Sequence, residues 1–405
     1  MSGAADSHFG CVVRSFASMF PARRFGGGAL AVYVDGQPVV DVWTGWSDRG
    51  GHRPWSENSA PMVFSATKGM AATVIHRLAD RGLIDYEAPV AEYWPEFAAN
   101  GKADLTVRQV MRHQGGLSGL RGATMEDLLD HVVMEERLAA AAPGRLLGKE
   151  AYHALTFGWL MSGLGRAVTG KGMAVLIREE LAEPLGTDGM YLGRPPAGAP
   201  TRAAEIILPK NMVRNPILGY VTRTVANQLS GAYRSMYFKG IIGAVQGEIP
   251  LLDAEIPAAN GVVTARALGR MYGAIANGGE VDGTRFLSRE LVAGLTGRRS
   301  LRPDRNLFVP LAFHLGYHSL PIGNVMPGFG HVGLGGSVGW CDPATGIAFA
   351  LVHNRLLTPF VATDHAAFVG IYQLMRQAAA KARKRGLRPV TEYGAPYFEP
   401  GAVAG

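Results

Sequence analysis

Apolar and polar positions along the chain fall into blocks with different periods. The run Ala29–Val34, the dipeptide Asp35-Gly36 and the run Val39–Trp43 predict a β-hairpin. An Asp-Gly pair between two β-favouring runs supplies the backbone conformations that a tight hairpin turn needs. From Thr67 the period becomes helical: Met70, Val74, Ile75 and Leu78 share a face, and Gly82 follows as a stop. Between Leu105 and about Leu192 the chain reads as mostly helical, in segments such as Val107–Met111 and Leu160–Val168 separated by Gly- and Pro-rich turns. Residues 195–255 are rich in Met and Tyr but show no clean period. After Gly261 a helix is predicted around Ala267–Ala276, ending at Gly278-Gly279. Phe329–Cys341, the turn Asp342–Gly346 and Ile347–Val352 predict a second hairpin, and a last helix spans about Thr363 to Lys384.

Strands near both ends with helices between them predict an α/β (α+β) protein. One α/β unit is expected from residues 1–95 and 256–405, with a mainly helical unit, 96–255, inserted; 387–405 reads as an extended tail. The 405 residues, 47% hydrophobic, are enough for a large core and exclude disorder. Charged residues make up 18%, and their deficit is uneven: Asn306–Cys341 contains no Asp, Glu, Lys or Arg. That length could cross a membrane. Pro310, Pro321, Pro327 and eight glycines interrupt it, so short strands and turns are expected instead of stable membrane insertion.

The net charge of +7 forms no stripe. Its one dense cluster, Lys381–Arg385, closes a predicted helix, where the helix dipole favours cations, so no nucleic-acid partner is expected. Cys11 and Cys341 form no CxxC pair, which leaves no support for a zinc site or a disulfide framework. Arg23-Arg24 faintly resembles an export signal, but the apolar run behind it ends at Asp35. A cytoplasmic location is therefore expected. No nucleotide-binding glycine loop is present and no cofactor is expected.

Ser65-Ala-Thr-Lys68 is the only Ser-x-x-Lys in the chain. At the start of a helix, residues three apart share a face, so the Lys68 ammonium can reach the Ser65 hydroxyl. A serine attacks poorly until a base or a cation helps it ionise, and this spacing supplies the cation. Two further elements follow in order: Tyr152-His153-Ala154, and His331-Val332-Gly333 on a predicted strand.

With these elements in register, the chain resembles the serine β-lactamase and penicillin-binding-protein superfamily. Within its class C-like branch, it is most similar to the family VIII carboxylesterases. The phrases Leu105–Leu117, Pro184-Leu-Gly186 and Gly261–Arg266 support the resemblance, which covers most of residues 10–385. It implies a β-lactamase-like fold, with an antiparallel sheet built from the N- and C-terminal segments, flanking helices and an inserted helical domain. It also implies a catalytic set of Ser65, Lys68 and Tyr152. Ser65 would accept the acyl group, and Tyr152, its pKa lowered by Lys68, would take the serine proton. The N–H groups of Ser65 and Leu334 would form the oxyanion hole. His153, His331 and Gly333 would contact substrate.

The chain departs from the lactamase pattern at two places. His331-Val332-Gly333 stands where those enzymes carry Lys-Thr-Gly, and Ala154 stands where they carry an Asn. Both changes remove polar recognition of a lactam and leave the nucleophile. The expected activity is therefore hydrolysis of short- to medium-chain carboxylic esters, neutral small molecules. Acyl transfer, β-lactam hydrolysis, D-amino-acid peptidase activity and a non-catalytic scaffold are the competing expectations. Part of 195–255 is expected to form a lid over the acyl pocket. Gly335–Gly339 matches the G-x-S-x-G nucleophile pattern around Ser337, but a turn and a strand follow it in place of the helix that pattern requires. His314 and His318 have metal-like spacing but no adjacent Glu, and are read as packing residues.

Overall fold

The computed structural model describes all residues except 22–25, 120–121, 209–249, 297–299, 357, 359 and 386–405, and only the backbone of Val361. Among the described residues the main sheet has eight strands: β1 (Ser2–Ala5), β2 (Gly27–Val34), β3 (Gln37–Gly45), β4 (Ala312–His314), β5 (Tyr317–Ser319), β6 (Phe329–Val332), β7 (Val338–Asp342) and β8 (Ile347–His353). Their order is β1-β3-β2-β8-β7-β6-β5-β4, and each neighbouring pair is antiparallel. The expected sheet built from both ends of the chain is thus present. Its central seam is β2 against β8, in register from Gly28 opposite His353 to Val34 opposite Ile347.

Six helices carry most of the packing: α1 (Gly10–Ser18), α2 (Thr67–Asp80), α3 (His131–Ala140), α4 (Thr156–Thr169), α5 (Ala265–Ala276) and α6 (Val361–Arg385). Side chains alternate across a strand, so each sheet face buries a different set. Leu30, Val32, Trp340, Phe349 and Leu351 pack with α1 and α6. Ala29, Ala31, Ala348 and Ala350 face α5, and their small side chains let that helix lie close to the sheet. The core on this second face continues through α2 into α3 and α4. Each large apolar side chain buried this way contributes about 1.5–3 kcal/mol.

The first hairpin matches its expected form. Asp35 (φ 51°) and Gly36 (φ 75°) are both left-handed, as the tight turn demands. The second differs. Phe329–Cys341 is not one strand but two, β6 and β7, separated by a turn in which Gly335 and Gly336 hold φ near 104° and 110°. The uncharged stretch does consist of short strands and turns, including β4, β5 and β6. Strand β1 and helix α1 were not expected. Most of the lid segment 195–255 and nearly all of the tail 387–405 lie outside the described residues. Among the described residues no helix is long and apolar enough to cross a membrane.

Candidate active site

Ser65 sits in a single 3-10 turn, Phe64–Ala66, one step before α2. Phe64 has a φ of 49°, a left-handed conformation uncommon for a bulky residue, and it directs the chain sharply into the helix. On the first turn of α2, Lys68 is fully buried, and its Nζ lies 3.1 Å from Ser65 Oγ. The same nitrogen donates to the carbonyls of Ala154 (2.6 Å) and Ala258 (3.0 Å). Burial drives the Lys68 pKa well below the ordinary lysine range. Two carbonyls and one hydroxyl satisfy either the three N–H groups of an ammonium or the two N–H groups and one lone pair of a neutral amine.

Tyr152 comes from an irregular segment just before α4, with its ring 4.9 Å from Lys68 Nζ and its phenol within reach of the Ser65 hydroxyl. Burial raises its pKa, and the nearby Asp304 charge raises it further, while the Ser65 contact works in the other direction. Desolvation outweighs the other influences, so the direction is upward, opposite to the lowering that the resemblance implies. The ring stacks on Phe313, with centroids 5.4 Å apart and planes 19° from parallel.

Strand β6 closes the site from the sheet side. A Cβ on Gly333 would stand 2.1 Å from the Val63 carbonyl oxygen, so only glycine lets the strand end meet the Ser65 turn this closely. Gly333 thus serves a contact between backbones of the protein itself. Among the described residues the Leu334 N–H has no acceptor, and the Leu334 side chain is exposed. That N–H is a free donor at the end of the strand that abuts the nucleophile's turn.

His153 and His331, the histidines expected to contact substrate, differ in how their rings are occupied. His153 is buried, with Nδ1 bonded to the Ala151 carbonyl (2.7 Å) and Nε2 accepting from Leu117 N–H (3.0 Å). Both ring nitrogens are committed, leaving none for substrate. His331 is also buried, its Nδ1 3.1 Å from the Val332 carbonyl and its ring against those of His318 and Tyr152. Burial moves every imidazole in this cluster toward the neutral form: His153 to about 4, His318 to about 3, and His113 and His331 well below the ordinary value. The chain therefore places neutral rings behind Tyr152, in the position where a lysine was noted as missing.

Ser337 and the histidine pair behave as packing groups. Ser337 is buried and its Oγ accepts from His353 N–H at 3.2 Å. His314 and His318 lie on two strands of one hairpin, bonded to the Gly294 carbonyl and the Val332 N–H respectively. Three residues absent from the sequence-based site surround Tyr152. His113 accepts from His153 N–H and Ala151 N–H, through its ring and its carbonyl. Asp304 and Asn306 bond the Tyr152 backbone. His113 lies inside the phrase Leu105–Leu117, but none of the three has a periodic or spacing signal.

Comparison with known proteins shows what the chain is similar to. The chain is 78% identical to the esterase/beta-lactamase LipL of Mycobacterium tuberculosis over 404 residues, covering 100% of this chain and 94% of that one. Its fold is similar to the crystal structure of a family VIII carboxylesterase, with TM-score 0.78, 32% identity, and coverage of 92% of this chain and 100% of that chain. A penicillin-binding-protein homologue from Caulobacter crescentus gives TM-score 0.77 at 28% identity, over 93% and 100% of the two chains. The Beta-lactamase family model matches residues 13–373, and with the Ser65–Lys68 turn set against β6 and Tyr152, the chain belongs to that family.

Proposed function

We propose that this chain is a carboxylic ester hydrolase that works through an acyl-enzyme on Ser65. The observation that carries the reading is the placement of Lys68: its Nζ is held by two carbonyls and lies 3.1 Å from Ser65 Oγ, where the neutral amine can take the serine proton. As Ser65 Oγ forms a bond to the ester carbonyl carbon, its proton moves to Lys68. The negative charge that develops on the carbonyl oxygen is met by the N–H groups of Ser65 and Leu334, each worth about 3–4 kcal/mol in such a role. Tyr152 then gives its phenolic proton to the departing alkoxide as the ester C–O bond breaks, and recovers a proton from the Lys68 ammonium. Water completes the cycle by the reverse path, with Lys68 as base and Ser65 as leaving group.

Esters are favoured over lactams by what lies around the nucleophile. Neutral, buried His331 offers no cation for a carboxylate, and Val332 offers no hydroxyl. The similarity to a family VIII carboxylesterase agrees with that direction, while the LipL relative is named both esterase and beta-lactamase. The test is a panel of p-nitrophenyl esters from acetyl to octanoyl with nitrocefin in parallel, on the wild type and Ser65→Ala. Ester turnover that exceeds nitrocefin turnover, disappears in Ser65→Ala and coincides with fluorophosphonate labelling at Ser65 is the expected result. Nitrocefin turned over far faster than every ester, or esterase activity surviving Ser65→Ala, would overturn it.

A further inference from the structure

The segment that carries Tyr152 has no regular structure of its own, so its backbone polar groups must find partners elsewhere. They find them mostly in a turn about 150 residues further along the chain. Tyr152 N–H donates to Asp304 Oδ2 at 2.9 Å, and Asn306 Nδ2 donates to the Tyr152 carbonyl at 2.9 Å. Both partner side chains are buried, Asp304 at 4% and Asn306 at 1% exposure. The other Asp304 oxygen, Oδ1, accepts from Asn306 N–H (2.9 Å) and Leu307 N–H (2.8 Å), which fixes the turn itself. Arg305 adds a bond to the Glu150 carbonyl at 3.3 Å. From the opposite side, His113 holds the N–H groups of Ala151 (3.1 Å) and His153 (3.0 Å).

We propose that Asp304 and Asn306 are positioning residues for Tyr152: a clamp on both backbone groups of that residue sets the phenol where it can protonate the leaving alcohol. This rests on the acyl-enzyme reading above and adds a second pair of residues to it. One Asp304 oxygen builds the turn and the other reaches out of it to Tyr152. The two roles sit on separate atoms and can be separated by substitution. Asp304→Asn keeps an oxygen for the turn and sets an NH2 against the Tyr152 N–H. Misplacement of a reacting group by about 1 Å costs on the order of 100-fold in rate.

The leaving group distinguishes a positioning role from a merely structural one. A p-nitrophenolate departs without a proton, whereas an ethoxide needs the one Tyr152 supplies. The experiment compares kcat/KM for an ethyl ester and the p-nitrophenyl ester of the same acid in the wild type, Asp304→Asn, Tyr152→Phe and the double variant. The expected result is a loss of about 10–100-fold on the ethyl ester and under about threefold on the p-nitrophenyl ester in Asp304→Asn. In the Tyr152→Phe background Asp304→Asn should add no further loss. Equal losses on both esters, additive losses in the double variant, or full ethyl-ester activity in Asp304→Asn would overturn the clamp. If Asp304→Asn fails to fold, Asn306→Asp, which sets an oxygen against the Tyr152 carbonyl, is read by the same criteria. Ser65→Ala is run beside them: turnover that persists without Ser65 would sink the acyl-enzyme reading itself, whereas Ser65-dependent turnover with an unaffected clamp variant would sink only the clamp.

Discussion

Among the described residues two lysines are completely buried, and each has three oxygen neighbours. Lys102 donates to the carbonyls of Ala99 (2.6 Å), Ala139 (2.9 Å) and Ala141 (2.5 Å), joining the turn Pro95–Gly101 to the end of α3. Lys68 reaches two carbonyls and one hydroxyl. Burial lowers both pKa values. The difference lies in the third neighbour. A carbonyl only accepts, so three carbonyls require three N–H groups and fix Lys102 as an ammonium. A hydroxyl can donate or accept, so Lys68 can exist in either state without breaking a bond. Burial alone does not distinguish the two lysines; the third neighbour does.

The largest test of that contrast is Lys68→Met. Turnover of p-nitrophenyl esters should fall on the order of 1,000-fold or more, as expected when one member of a catalytic unit is lost. Lys102→Met should leave Ser65 labelling by a fluorophosphonate intact and instead destabilise the protein. It strands three buried carbonyls at about 1–3 kcal/mol each, so a loss of about 3 kcal/mol or more in urea unfolding is expected. Equal activity losses in the two variants would break the comparison.

Acid stability gives a smaller effect. His153 and His318 ionise at about 4 and about 3 in the folded protein against an ordinary 6.5, so below 6.5 the unfolded chain binds more protons. Their full stability is present above pH 6.5 and is lost as pH falls toward 4, by about 1.4 kcal/mol per pH unit per histidine. Lys102→Met should lower the curve of stability against pH without changing this slope, because the histidines surround Lys68. The smallest effect is a matter of position on the pH axis. The rise of kcat/KM with pH should follow an apparent pKa well below 10.5, since burial depresses Lys68, and Lys102→Met should not move it. A limb at the ordinary lysine value would contradict the neutral-amine mechanism.

The pair Ser65 and Lys68 was legible in the sequence because a helical turn converts a spacing of three into contact. The first hairpin was legible because Asp35-Gly36 names its own turn. Lys102 carried no such sign: in Gly101-Lys-Ala-Asp104 it looks like a solvated surface residue, and two of its three acceptors, Ala139 and Ala141, come from a distant segment. Asp304 and Asn306 were illegible for the same reason, since no local period relates them to Tyr152. Strand β1 has the composition Ser-Gly-Ala-Ala, weak for a strand, and forms because β3 offers it an edge from Trp43 to Val40. His153 and His331 were read from their places beside a motif; in the structure both ring nitrogens of His153 bond to backbone groups, and the His331 ring lies against His318.

The pairing of β2 with β8 has a consequence for how the protein is made. A ribosome adds roughly 5–20 residues per second, so Ser65 and Lys68 leave the exit tunnel some 15–50 s before β6 is synthesised. Until β8 arrives, the edge of β2 that it covers has no neighbour, and the nascent chain is exposed to strand-edge association through that interval. The central seam of the sheet therefore closes only after the seven other strands have been made.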